Sequence, residues 1–336
     1  MRRLLRAPWE LLKRRFGWLV LYELRNKVLL APTARRLRRT EDAETARLAR
    51  ELGRRPAARV ATVIATHRRP AELRRAVRSA LDQTVRDQVV IVVDDGAGLP
   101  ELPEDPRLFA VSLGRNTGVA GVVRNVGIRL TSSAYVAFLD DDNLWEPEHL
   151  QEALAALEAP GGPDGVYTAL RRVRPDGTDM DVLSVPFDRR AAAHRAFLDT
   201  NAFVARRTPA LRFSRLRRTP EVLPREDWEL IRRYARGHRV AHLPRPTVRY
   251  LVNPGSYYTS WTDGERPARG RRREGLRRAQ QRAHGGPRRR PAERRPGQLA
   301  QQHRAPEGHR GRGAVPAPVE PHPVDAEQRP QARRDL

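Results

Sequence analysis

Val89-Val-Ile-Val-Val-Asp94-Asp95-Gly96 runs five β-branched residues straight into two carboxylates and a glycine. An unbroken apolar run of this length is the pattern of a strand covered on both faces, as in a parallel sheet. The arrangement recurs at Ala134–Leu139, which leads into Asp140-Asp141-Asp142-Asn143, and more weakly at Val60–Ala65, which leads into Thr66. Between these runs the period changes to helical. Pro70–Gln83 sets Leu73, Val77 and Leu81 on one face, and Val119–Leu130 and Glu148–Leu157 are further helices. Leu108–Leu113 is a weaker strand. This alternation predicts an α/β fold, a mixed but mostly parallel sheet with helices on both faces. After Pro160 the pattern loosens. Gly165–Leu170 and Met180–Val185 are expected as strands flanking a turn at Pro175-Asp-Gly177. Ala202–Ala205, Arg239–Leu243 and Val248–Val252 read as extended, and Asp227–Ala235 as helical. No internal repeat is evident.

The chain has 336 residues, 65 Lys+Arg against 40 Asp+Glu, and a net charge of +25. Such a charge suggests a nucleic-acid partner until its position is considered. Residues 1–59 hold 17 basic and 6 acidic side chains, and residues 266–336 hold 19 and 7. The segment between them, 60–265, is nearly neutral, so the excess belongs to the ends and no nucleic-acid partner is expected. Cysteine is absent, which excludes disulfides and thiolate metal sites and suits a cytoplasmic protein. No stretch approaches the roughly 20 apolar residues of a spanning helix. Phe16–Tyr22 is too short, and no small-residue cleavage site follows it.

Three segments follow. Residues 1–59 form a basic helical extension. Within residues 1–30, Leu5, Trp9, Leu12, Phe16 and Leu19 recur at helical spacing among arginines, a pattern that suits either packing on the folded domain or peripheral contact with an anionic membrane. A further helix is expected at Glu41–Leu52. Residues 60–265 form the folded α/β segment, in two parts of different pattern, 60–145 and 146–265. Residues 266–336 contain no Phe, Trp or Tyr and few aliphatic residues, too little to offset chain entropy. They are expected to be disordered, a composition that out-of-frame translation of an arginine-biased gene would also produce.

The acidic clusters sit where parallel sheets do their chemistry, at the carboxyl ends of strands. Asp94-Asp95-Gly96 offers an acceptor for a ribose hydroxyl or a base N–H, or merely a turn. Asp140, Asp141 and Asp142 follow one another and repel unless a cation is near. Hard divalent cations take oxygen ligands and bridge to phosphates, so this cluster reads as a Mg²⁺ or Mn²⁺ site. Glu226-Asp227-Trp228 opens a helix; its acids serve either the helix dipole or general-base chemistry. Gly118 and Gly121 stand at the start of the Val119–Leu130 helix, a natural anion site. No G-x-G-x-x-G and no G-x-x-x-x-G-K-[ST] occurs. The nine histidines show no metal-ligand spacing, and His149, His194 and His238 read as surface or packing residues.

Taken in order, these stretches resemble glycosyltransferase family 2, the inverting enzymes of GT-A fold. The resemblance rests on Val60–Thr66, Ser79-Ala-Leu-Asp-Gln-Thr84, Val90–Gly96, Asn116-Thr-Gly118 with Arg124-Asn-Val-Gly-Ile128, Phe138–Asp142, Pro147, Glu226-Asp227-Trp228 and Tyr250–Ser256. It covers about 200 residues, 60 to 256, and implies a catalytic domain at 60–265 with a nucleotide-binding half at 60–145 and an acceptor half at 146–265. It implies that Thr66, Arg68, Asp95 and Arg124 bind the nucleotide, with Asp140 and Asp141. Asp142 is the implied metal ligand, with Asp140 beside it. Asp227 is the implied general base, with Glu226 and Trp228 on the acceptor side. The family's usual Tyr-Asn after the first strand is replaced by His67-Arg68, a usual Ser by Ala97 and a common fourth Asp by Asn143. No Gln-x-x-Arg-Trp motif of processive synthases is present.

The resemblance therefore implies transfer of one sugar, by a single inverting displacement, from a nucleotide-sugar donor to a glycan or lipid-linked acceptor. A cytoplasmic location on the inner face of the membrane is expected. Two other readings compete. A sugar-phosphate nucleotidyltransferase would need a Gly-rich phosphate loop after the first strand, where His67-Arg-Arg-Pro70 has no glycine. A non-enzymatic polyanion binder would interleave aromatics with its basic residues, and the tail has none.

Overall fold

The computed structural model describes residues 6–218 and 225–252. The expected disordered or out-of-frame tail, 266–336, lies outside the described residues, as does the end of the Tyr250–Ser256 stretch.

The sheet is built around β1 (Val60–Thr66). β2 (Gln88–Asp94) and β4 (Tyr135–Asp140) flank it in parallel, and β3 (Leu108–Ser112) adds in parallel to β2. The register places Thr66 opposite Asp94 and Ala65 opposite Asp140. Three motif ends therefore arrive together at one edge of the sheet. Beyond β4 the sheet becomes mixed. β8 (Phe203–Arg206) pairs antiparallel with β4 and with β6 (Gly165–Val173). β9 (Val240–Leu251) runs parallel to β6, β5 (Leu144–Trp145) pairs with β9, and β7 (Asp179–Leu183) with β6. This is the expected α/β class, with a mixed sheet.

The helices cover the sheet. They are α4 (Pro70–Leu81), α5 (Ala120–Leu130) and α6 (His149–Glu158). Leu73 and Val77 of α4, Val123 and Val126 of α5, and Leu150 and Leu154 of α6 join β-strand valines in one core. Gly127 is needed because α5 presses on β1: a Cβ there would lie 2.5 Å from Val63 Cγ1. Gln83, wholly buried, ties α4 to α6. Its amide donates to the carbonyls of Ser79 and Glu146 and accepts from the Leu150 N–H at 3.0 Å.

Two elements differ from expectation. Arg239–Leu243 and Val248–Val252 are not separate: β9 runs through both. Pro244 and Pro246 carry no N–H, and the ladder shifts register between Thr168 and Leu170 to pass them. The helix expected at Glu41–Leu52 begins ten residues earlier, as α3 (Ala31–Leu52). Its first half is dominated by arginines, so the apolar period is faint there, yet Leu37 packs against Val119 and Val122. Before it come α1 (Arg6–Phe16) and α2 (Trp18–Leu29). Two more helices, α7 (Arg189–His194) and α8 (Glu226–Tyr234), complete the described residues.

Candidate active site

The carboxyl ends of β1, β2 and β4 open into a cavity of about 790 Å³. Thr66, Asp95, Gly118, Arg124 and all three residues Asp140–Asp142 line it, with Tyr250 and Leu251 from the end of β9. Asn143 brings β9 there, since its Oδ1 accepts from the Leu251 N–H at 2.9 Å.

Each carboxylate is held differently. Asp94 caps its own turn, accepting from the N–H groups of Ala97 and Gly98 and from Ser112. Asp95 accepts from the N–H of Thr117 at 2.7 Å and of Gly118 at 2.9 Å. Gly118 sits at φ 62°, the left-handed turn that aims its N–H inward. Thr66 donates to Asp141 Oδ2 at 2.8 Å. Asp140 gives Oδ1 to Arg124 and Oδ2 to the Asn201 amide at 2.9 Å. Burial works to raise Asp140, but Arg124 and Asn201 outweigh it and hold its pKa below the usual carboxylate range.

Asp142 is the contrast. Burial, with the negative charge of Asp140 and Asp141, pushes it up to about 6 against the partial relief of Arg69. The cluster carries more negative charge than its arginines offset. Its donor set is all hard oxygen, and Asp142 faces the cavity where a diphosphate would supply further ligands. These residues fit a divalent ion. Asp140, expected as a second ligand, instead spends both oxygens on Arg124 and Asn201. Among the described residues no three acidic or histidine side chains converge on one ion, so a metal held here draws on the substrate as well.

Arg124 joins the two halves of the site. One nitrogen bonds Asp140; the other lies 3.5 Å from Glu226 and 3.6 Å from Asp227 at the start of α8. Its guanidinium rests on the Phe213 ring at 5.0 Å. Burial disfavours its charge, yet the three carboxylates outweigh that and raise its pKa. Asp227 Oδ1 is buried without a hydrogen-bond partner. Burial raises its pKa well above the carboxylate range; Arg124 opposes the shift and Glu226, Asp199 and Asp140 add to it. Asp142 and Asp227 thus belong to one connected cluster, linked through Asp140 and Arg124.

The sequence reading needs correction at Arg68, Trp228 and Gly121, and it missed Arg69 and Asp199. Arg68, expected at the nucleotide, is absent from this cavity's lining; it adopts φ 58°, a strained left-handed conformation. The next residue enters instead: Arg69 bonds Asp141 at 3.1 Å and Asp142 at 2.5 Å. Trp228, expected on the acceptor side, is buried against Leu19 and Ala196. Gly121 serves packing, not a ligand, since a Cβ there would collide with the Ser214 carbonyl oxygen. Asp199 went unread. Buried, with its pKa raised by burial and by Asp140, it binds the backbone and side chain of Asn201, the residue that holds Asp140. Its signal was the polar Asp199-Thr-Asn201 set immediately before an apolar strand.

Part of the chain is similar to known proteins. Residues 62–216 match the family described as Glycosyl transferase family 2. The succinoglycan biosynthesis protein ExoW of Rhizobium meliloti is 34% identical over 96 residues, 26% of this chain and 30% of that protein. The poly(ribitol-phosphate) β-N-acetylglucosaminyltransferase TarP of Staphylococcus aureus is 26% identical over 155 residues, 44% and 46% of the two chains. A crystal structure of S. aureus TarS 1–349 in complex with UDP-GlcNAc overlaps 61% of each chain at 18% identity, with a TM-score of 0.44. The chain spans about a third of the length of the first curated relatives it matches. The strand-end carboxylates and the family match agree that residues 62–216 of this chain carry a glycosyl transferase family 2 domain.

Proposed function

We propose that the chain moves one sugar, with inversion, from a nucleotide-diphosphate donor, a UDP-sugar, to a hydroxyl of a cell-surface glycan or glycolipid precursor. One observation carries the reading: Arg124, which lines the cavity with Asp140, also pairs with Asp227 of α8, although Glu226 and Asp227 are themselves outside that lining. The relatives ExoW, a succinoglycan biosynthesis protein, and TarP, a poly(ribitol-phosphate) β-N-acetylglucosaminyltransferase, support an envelope or extracellular glycan acceptor. The same reading sets the protein at the inner face of the membrane.

In this mechanism the acceptor oxygen bonds to the anomeric carbon as the bond from that carbon to the diphosphate oxygen breaks. The nucleoside diphosphate leaves with that electron pair, and Asp227 takes the acceptor's proton. Its raised pKa strengthens it as a base, while Arg124 favours its ionised form. A divalent ion at Asp142, Mn²⁺ or Mg²⁺, would supply Lewis-acid neutralisation of the leaving group. Thr66 and Arg69 fix Asp141 beside it, and Asn201 and Arg124 fix Asp140.

The test is a donor screen. UDP-, GDP- and dTDP-sugars are offered with Mn²⁺, and released nucleoside diphosphate is read. Turnover of one donor class is expected. Asp227→Asn should cut that turnover by about 10²–10⁴-fold, the usual worth of general-base help. Release that is equal in the variant, or absent with every donor, contradicts the proposal.

A further inference from the structure

The helix α2 is packed on one side and apolar on the other. Its inner side, at Leu19, Glu23 and Asn26, is buried. There Leu19 packs with Trp228 and Ala196, Trp18 Nε1 donates to the His194 carbonyl at 2.8 Å, and Lys27 bonds Glu229 at 3.0 Å. At 100° per residue the opposite side carries Leu21, Leu24, Arg25 and Val28. Leu24 is 61% exposed and Val28 69%. A helix on the surface of a globular domain turns polar residues outward, and α2 does the reverse.

The feature extends beyond one helix. Of the eight large hydrophobic side chains exposed among the described residues, seven fall between Leu11 and Leu29. Leu11, Leu12 and Phe16 are those of α1. Scattered exposed leucines are ordinary, whereas a concentration of this kind marks an interaction surface. Interleaved with it are exposed Arg14, Arg15 and Arg25. Of the two acids within 10–29, Glu23 is buried against Arg218 and Glu10 is held by Lys13. The surface is therefore both apolar and cationic.

We propose that α1 and α2 form a docking surface for an anionic lipid bilayer, with Leu24, Val28 and their neighbours in the headgroup–acyl boundary and the arginines on lipid phosphates. The chemistry matches: an apolar stripe flanked by Arg, in helices lying in the interface plane. At 11 and 12 residues the two helices are far shorter than a spanning helix, and among the described residues no helix is long and apolar enough to cross a membrane. A consequence follows for the site. The inner side of α2 rests on Trp228, the neighbour of Asp227, so a docked chain holds its base helix directly behind the lipid surface. That orients it toward a lipid-linked acceptor. The consequence rests on the function proposed above; the docking surface does not.

Vesicle flotation of the full chain tests the surface without any sugar transfer. The vesicles are phosphatidylcholine with and without phosphatidylglycerol, at low and high salt. Wild type should float with the anionic vesicles and stay bound when salt screens the basic ends. The double variant Leu24→Glu, Val28→Glu should lose binding tenfold or more at high salt, with unchanged circular dichroism and unchanged mass by light scattering. Equal flotation of the variant would show that the basic ends alone hold the membrane. Failure of wild type to float on either vesicle also overturns the proposal. So does a wild-type dimer that the variant converts to monomer, which would make the surface an interface between copies.

Discussion

At Asp227 a carboxylate is made more basic by what surrounds it. Burial acts first, and Glu226, Asp199 and Asp140 add their repulsion against the single cation of Arg124. A base with a raised pKa loses its ionised form as pH falls through that pKa, so turnover should show an acid limb well above the ordinary carboxylate range. Asp199 is one of the groups that raises it. Replacing Asp199 with Asn removes one negative charge, which lowers the Asp227 pKa and should move the acid limb to lower pH. A pH–rate profile reads this directly, and an unmoved limb would show that Asp199 acts on Asp140 alone through Asn201. At this scale the sequence was half legible. Asp142 and Asp227 stood out because carboxylates at the end of an apolar strand and at a helix start break the periodic pattern around them, and Arg124 because it is a cation amid the apolar residues of α5. Arg69 was not: within Arg68-Arg69-Pro70 only the backbone decides which arginine turns inward, and Arg68 takes the left-handed conformation that aims its successor at the aspartates.

At the scale of elements, the N-terminal helices are more than a covering. Glu41 of α3 is fully buried and meets Arg215 through two hydrogen bonds, Arg129 of α5 at 3.2 Å and the Asn125 amide at 3.0 Å. Asn125 in turn accepts from the Phe213 N–H at 2.7 Å. This cluster clamps α3, α5 and the 211–218 segment together, one residue from Arg124. Deleting one member of a buried ion pair leaves its partners' charge uncompensated and typically costs 3–5 kcal/mol. Glu41→Ala should lose about 3 kcal/mol, the low end, because Arg129 keeps access to water. Urea denaturation checks it; a loss below about 1 kcal/mol would mean that the pair is worth no more than a surface one. The alternation of β-branched runs and helical periods gave the first four strands correctly, because buried parallel strands leave an unbroken apolar record. Residues 146–252 left less. The prolines of β9 disguised one strand as two, and the arginines of α3 hid a stripe that Leu37 and Glu41 still follow.

Across the whole molecule, stability should depend on acid through a buried histidine. His149 stacks on Trp145 at 4.3 Å, and Nδ1 lies 2.8 Å from Thr247 Oγ1. Its Nε2 is buried without a partner. Burial depresses its pKa from 6.5 to about 3. The folded form keeps His149 neutral while the unfolded chain takes up a proton below pH 6.5. Its contribution is therefore complete above that pH and falls as pH drops toward 3, by up to about 1.4 kcal/mol per pH unit. His149→Gln should flatten the pH dependence of unfolding free energy across that window, even if it lowers stability at neutral pH. An unchanged slope would place the acid sensitivity elsewhere. The +25 charge, by contrast, sits largely at the two ends. It bears on which surfaces the chain meets, while the near-neutral centre holds the chemistry.

The central claim is that Asp142 and Asp227 serve one nucleotide-sugar cleft in different roles, the first toward metal and diphosphate, the second toward the acceptor. Calorimetric titration of UDP into the full chain, with Mn²⁺ and with chelator, separates them. The account predicts metal-dependent UDP binding by wild type, its loss in Asp142→Asn and its retention in Asp227→Asn. Binding that ignores both metal and Asp142, or that vanishes equally with Asp227→Asn, would contradict it.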